Sequence, residues 1–157
     1  VDRFMMKLKV DYPKKDEERQ ILRLSATTDK IKQKKSTITA ASILRAQKSI
    51  NEIYVDEKVE DYVLNLVFAT RDPKRYKLDD MVQLIQHGAS PRASINLILA
   101  SKARAFLEGR GYVTPEDVRY IGKDILRHRV IPSYEAEAEE LTSEYIIQRL
   151  FDSIEIP

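Results

Sequence analysis

The sequence contains no cysteine and no tryptophan, and only two histidines and four glycines among its 157 residues. Without cysteine there is no disulfide, no thiolate nucleophile and no sulfur-based metal site, and a reducing compartment is permitted. The two histidines, His87 and His128, lie far apart in the chain and give no basis for a histidine-built metal centre. An excess of one charge is also lacking. The 27 basic residues against 25 acidic ones leave a net charge of +2, so no overall field announces a nucleic-acid partner. No apolar run approaches the ~20 residues that span a bilayer and no secretory signal opens the chain. A cytoplasmic protein without a membrane partner is expected.

The common catalytic motifs are missing as well. No glycine precedes Lys-Ser or Lys-Thr as in a phosphate-cradling P-loop, and Gly122-Lys123-Asp124 fails that pattern. There is no Gly-x-Ser-x-Gly elbow and no His-Glu-x-x-His helix. Glu135, Glu137, Glu139 and Glu140 form an acidic run, which reads as wetted surface rather than an acid/base pair. A complete active site within these residues is not expected, and neither is a metal site.

At 43% hydrophobic and 33% charged, the chain has a globular composition, and its length suits one compact domain or a small domain with an appendage. Phe4, Met6, Leu8 and Val10 alternate with Arg3, Met5, Lys7 and Lys9, a period of two that predicts a strand with one apolar face. Nearly everything after it reads as helix. Ile53-Tyr54-Val55 and Ile154-Glu155-Ile156 are the only other strand candidates, and a lone strand or two-stranded ribbon is marginal in water. The chain is therefore expected to be a fragment whose sheet lies elsewhere.

The helices carry consistent signals. A first helix is predicted over Asp16 to Leu24, gripping through Ile21 and Leu22, and residues 25–37, with Lys30, Lys32, Lys34 and Lys35, read as a solvated loop. Thr37 or Thr39 caps the next helix, in which Ile43, Gln47, Ile50 and Tyr54 share a side, with Leu44 beside them. Asp56 caps another in which Val59, Tyr62, Val63, Leu66 and Val67 form a core-facing stripe ending at Arg71-Asp72-Pro73. Gly109-Arg110-Gly111 breaks the chain before Thr114-Pro115-Glu116-Asp117, a cap followed by proline and acids at a helix start. Val118, Ile121, Gly122, Ile125 and Leu126 line that helix's inner face, and the glycine implies close helix contact. Lys123, Arg127, His128 and Arg129 follow, where positive charge suits the helix dipole. Thr142 caps a last helix with Ile146, Ile147, Leu150 and Phe151 on one side. The predicted fold class is mainly α, a helical bundle with an N-terminal strand and helix attached.

The most informative stretch is Gly88-Ala89-Ser90-Pro91-Arg92, followed by an apolar run to Ala100. It reads as a glycine hinge, an N-cap serine accepting from an orphan N–H, a first-turn proline and an arginine at a helix mouth. The dipole favours anions there, so an arginine in that position points to an arriving anion, phosphate first. The same residues also fit an ordinary capped helix with its arginine in solvent.

The passage Val1 to Pro13 resembles the end of the nucleotide-binding core of MoxR-type AAA+ ATPases. Gly88 to Ala93, Tyr112 to Val118, Leu126-Arg127-His128-Arg129 and Glu135-Ala136-Glu137-Ala138 resemble the same family's C-terminal lid, in the right order. The resemblance implies that residues 1–36 are the end of the core and a linker, and that 37–157 are the helical lid. It makes Arg92 the sensor 2 arginine, with Ser90 and Pro91 beside it at the nucleotide, and Arg3 the arginine finger reaching a neighbouring subunit's nucleotide. It implies ATP and Mg as ligands of a longer protein, with no nucleotide bound by the fragment alone. It further implies a homo-oligomeric ring, a hexamer, working on a client protein with a possible von Willebrand A-domain partner. Gly88 and the Lys30–Lys35 loop would supply flexibility. Two other classes compete. A stand-alone helical nucleic-acid-binding domain would use basic loops at Lys30–Lys35 and Arg71–Lys77 and show salt-sensitive DNA affinity. A protein-adaptor domain would bind its partner whether or not nucleotide is present.

Overall fold

A computed structural model describes residues 2–26 and 37–157; the Lys30–Lys35 loop lies outside them. The architecture is mainly α. The helices are α1 (Lys15–Ser25), α2 (Ala40–Asn51), α3 (Glu57–Ala69), α4 (Pro91–Leu107), α5 (Pro115–Leu126), α6 (Tyr134–Ala138) and α7 (Ser143–Ser153). Two 3-10 turns, Pro73–Tyr76 and Asp79–Met81, lead from α3 toward β1 (Ile85–His87), which pairs antiparallel with β2 (Ile131–Pro132). Tyr54 and Tyr112 form an isolated parallel bridge. No helix among the described residues is long and apolar enough to cross a membrane.

The core is built from the predicted stripes. Val59, Tyr62, Val63, Leu66 and Val67 of α3 are all buried, as are Val118, Ile121, Ile125 and Leu126 of α5 and Ile146, Ile147, Leu150 and Phe151 of α7. α4 lies between them, touching α2, α3 and α5. Thr39, Asp56 and Thr142 cap their helices as expected, each side chain accepting from a first-turn N–H. Gly122 faces Phe151 so closely that a Cβ there would overlap the ring, which is the close helix contact the glycine implied.

Two expectations fail. The alternating segment 3–10 does not form a strand: residues 2–5 turn, and 6–14 run on without ladder partners. Phe4 and Val10 are 70% and 88% exposed and Leu8 is exposed as well, so of the expected apolar face only Met6 packs against the core. An isolated strand has no neighbour to satisfy its carbonyls, and here side chains from the turn after α5 satisfy several of them instead. Ile154–Ile156 is likewise not a strand. The short β1–β2 pair was not foreseen.

Candidate functional site

The first turn of α4 is set by α3. Thr70, just past α3, donates its hydroxyl to the Val67 carbonyl at 2.6 Å and accepts from the Ala89 N–H at 2.8 Å. Arg71 Nε donates to the Ala89 carbonyl at 2.6 Å, and its guanidinium lies over Phe68 at 5.0 Å. Gly88 presses on the Thr70 carbonyl, leaving no room for a Cβ. The glycine read as a hinge is thus a close-packing residue. Arg71 ties one arm to the α4 turn while the residue itself stays exposed.

Ser90 stands at the N-cap with Pro91 at the first helical position. The expected cap hydrogen bond is not made. The Ser90 hydroxyl donates instead to Asp2 Oδ2 at 2.9 Å. The rotamer that carries the hydroxyl to the Asp2 carboxylate, where its hydrogen makes a charge-assisted bond, takes the oxygen away from the first-turn N–H groups it would otherwise accept from. Arg92, in the same turn, is 56% exposed, and its nearest ion contact is the same Asp2 oxygen at 3.9 Å. That separation is beyond hydrogen-bond range, so the planar fork keeps its donors for another acceptor.

Asp2 is held from a second side. Arg129, whose side chain is fully buried, donates from Nε to Asp2 Oδ1 at 2.9 Å. The rest of its fork serves main-chain carbonyls of Asp2 at 3.2 Å, Phe4 at 2.6 Å and Met5 at 3.1 Å, and that of Ile125. Burial alone would raise the Asp2 pKa, but bonds from Ser90 and Arg129, with the charges of Arg129 and Arg92, hold it below the ordinary 3.8. His128 Nε2 lies 3.0 Å from the Phe4 carbonyl, which only accepts, so Nε2 carries the hydrogen. Nδ1 is buried with no hydrogen-bond partner. Burial first, then the charges of Arg129 and Lys7, push the His128 pKa below 6.5, against the pull of the Phe4 carbonyl and Asp2. Arg127 donates to the Lys7 carbonyl and pairs with Asp124 at 2.6 Å and Glu144 at 2.8 Å, while the Lys7 N–H donates to the Asp124 carbonyl at 2.8 Å.

The predicted residues therefore divide. Ser90, Pro91 and Arg92 share one corner, and Asp2 joins them. Arg3 is exposed, and its side chain makes no hydrogen bond or ion pair among the described residues. Arg127, His128 and Arg129 were read as dipole partners and as part of the lid resemblance, with no partner assigned to them, yet they grip residues 2–7. Their clustering was the available signal; which acceptors they would meet had no local signature. Among the described residues no group of three or more acids or histidines is arranged to hold a metal ion.

A second ionic cluster is structural. Asp117, with its side chain only 2% exposed, accepts from Arg110 at 2.6 and 2.8 Å and from the Thr114 N–H at 2.9 Å. Arg104 Nε stands 3.3 Å away and its guanidinium covers Tyr120 at 3.4 Å. These contacts close the Gly109–Gly111 loop over the start of α5.

Comparison with known proteins places these helices. Residues 81–150 match the AAA lid domain. The chain is 39% identical to Chaperone MoxR1 of Mycobacterium tuberculosis over 157 residues, covering 99% of this chain and 41% of that protein. It is 33% identical to Protein MoxR of Paracoccus denitrificans, covering 99% and 49%. A crystal structure from Cytophaga hutchinsonii, assigned as an ATPase, superposes with a TM-score of 0.94 at 38% identity, over 99% of this chain and 47% of that one. The chain spans less than half the length of the curated relatives it matches.

Proposed function

The chain belongs to the MoxR-type AAA+ proteins and carries an AAA lid domain, and on that premise we propose that it serves ATP hydrolysis in a longer protein, with Arg92 as the lid arginine that meets the terminal phosphate. The observation that carries this reading is the state of Arg92: a half-exposed guanidinium in the first turn of a 17-residue helix, short of a hydrogen bond to its one carboxylate neighbour. A planar, permanently charged fork suits phosphate oxygens, and a helix start adds backbone donors of the same polarity. Ser90 and Pro91 shape that turn. Ser90 acts through Asp2 rather than by capping.

Arg3 is the arginine finger in this reading, exposed and uncommitted so that it reaches a nucleotide held by the next subunit of a homo-oligomeric ring, a hexamer. Such a finger is worth on the order of 10³–10⁵ in rate where it has been quantified. Residues 1–36 end the nucleotide-binding core and 37–157 form the lid. ATP with magnesium would lie between the two, where the ion would offset the charge of the phosphates that Arg92 meets. Lid motion on loss of the phosphate then remodels a client protein, as a chaperone does, in the cytoplasm and with a von Willebrand A-domain partner. The decisive test joins the chain to its core and changes Arg92 to Ala. Turnover should fall by at least tenfold with the fold intact; wild-type turnover rejects the role.

A further inference from the structure

The helix that carries Arg92 begins without a side-chain cap, because the Ser90 hydroxyl is turned to Asp2. What holds its start comes from the end of α3. The Thr70 hydroxyl gives its one hydrogen to the Val67 carbonyl and keeps a lone pair for the Ala89 N–H. The next residue, Arg71, donates Nε to the Ala89 carbonyl. Side chains of two consecutive residues thus take both main-chain polar groups of Ala89. Thr70 and Ala89 are each 1% exposed, so water cannot replace the buried half of this clamp. Gly88 lets the turn lie directly on the Thr70 carbonyl, and the Phe68 ring steadies the Arg71 guanidinium.

Between the clamp and Arg92 the chain has little freedom. Ser90 precedes a proline, which disfavours helical backbone there, and it stands extended at φ −75° and ψ 170°. The Pro91 ring holds its own φ at about −65°. Two stiff residues therefore pass the orientation of the Ala89 peptide on to the backbone of Arg92. A slack peptide at Ala89 would swing the guanidinium, at the end of a long side chain, further than the main chain itself moves.

We infer, resting on the proposed role of Arg92, that Thr70 and Arg71 are its positioning residues, aiming it by fixing the peptide three positions before it. Clamp, proline and arginine all lie within residues 37–157, so they travel together when the lid moves against the core. The Ser90–Asp2 bond crosses to the segment before the lid, and it can break in that motion without loosening Arg92. Arginine suits the second post because Nε bonds the carbonyl while the planar fork lies over a ring, a geometry that lysine does not offer.

In the longer protein, Thr70→Val keeps the shape and removes the hydroxyl, whereas Thr70→Ser keeps the hydroxyl. Thr70→Val should lower kcat by roughly 10- to 100-fold, the scale of a group misplaced by about 1 Å, with ADP affinity within about twofold of wild type. Thr70→Ser should bring kcat back to within about threefold of wild type. A second background separates aim from mere stability. Added to Arg92→Ala, Thr70→Val should lower the melting temperature as before yet cost no further turnover. Given that Arg92→Ala lowers turnover, three results each overturn the positioning role: wild-type kcat in Thr70→Val, no rescue by Thr70→Ser, or an equal loss in both backgrounds. Arg71→Ala, at an exposed residue, should show the same pattern and serves where the buried position does not tolerate valine. Hydrogen exchange reads the clamp independently of turnover. The peptide carrying Ala89 to Ala93 should exchange at least about tenfold faster in Thr70→Val than in wild type or Thr70→Ser. Full turnover in Arg92→Ala together with that loosening ends the phosphate role and leaves the clamp standing. Lost turnover in Arg92→Ala, with exchange and kcat indifferent to Thr70 and Arg71, does the reverse.

Discussion

Replacing Asp117 with alanine should destabilise the fold by about 3 kcal/mol, a value set by what the carboxylate leaves behind. Its side chain is almost wholly buried and holds both arms of Arg110, the Thr114 N–H and the edge of Arg104. Removing one partner of a buried ion pair costs about 3–5 kcal/mol, and losing a helix cap adds typically ~1 kcal/mol. Against this, Arg110 and Arg104 are about a quarter exposed and regain water, which argues for the lower end of the range. At about 2–4 °C per kcal/mol for a chain of this size, the melting temperature should drop by roughly 6–12 °C, read by far-ultraviolet circular dichroism. Asp117→Asn keeps the shape and one acceptor and should lose about half as much. Although burial raises the Asp117 pKa, its bonds from Arg110 and Thr114 hold it below 3.8. The stabilisation is therefore complete above that pH and disappears as pH falls through the lowered value, so wild type and Asp117→Ala should converge in acid. A loss under about 1 kcal/mol at pH 7, or a gap that does not narrow as pH falls below 3.8, refutes the reasoning.

Gly122→Ala should destabilise by about 1 kcal/mol, because overlap with the Phe151 ring costs about 1–3 kcal/mol and better helix propensity returns about 1. Pairing it with Phe151→Leu should give less than the sum of the two losses in urea unfolding, and strict additivity would disprove the contact. His128, neutral in the fold and pushed below 6.5, should make stability decline as pH drops from about 6.5, where the unfolded chain gains a proton first. His128→Gln, which can still donate to the Phe4 carbonyl, should remove that part of the pH dependence; the same slope in the variant contradicts the assignment.

The helices, and the buried faces of α3, α5 and α7, were legible because period and caps are local properties. The apolar sides expected of α1 and α2 are exposed instead, Ile21, Leu22, Ile43 and Leu44 included. The α3, α5 and α7 stripes were identified residue by residue, and Thr39, Asp56 and Thr142 announced their ends. The β1–β2 pair was not, since two or three residues carry no measurable alternation. Residues 3–10 had the alternation of a strand but no partner among the described residues, and pattern alone does not say who pairs with it. In the site, Arg92 was legible from its conflict with the helix dipole. The choice of Ser90 between its own helix and a carboxylate 88 residues away in sequence was not. Arg129 looked like a dipole partner because the carbonyls it meets belong to a segment whose path only the folded chain reveals.

The central claim is that Arg92 distinguishes a triphosphate from a diphosphate. A charge-assisted bond of about 1.5–3 kcal/mol predicts that the longer protein binds a non-hydrolysable ATP analogue roughly 10- to 100-fold more tightly than ADP. Calorimetric titration of wild type and Arg92→Ala with both nucleotides measures that ratio directly. In the variant the ratio should collapse toward one while ADP affinity holds. An undiminished preference for the triphosphate would contradict it.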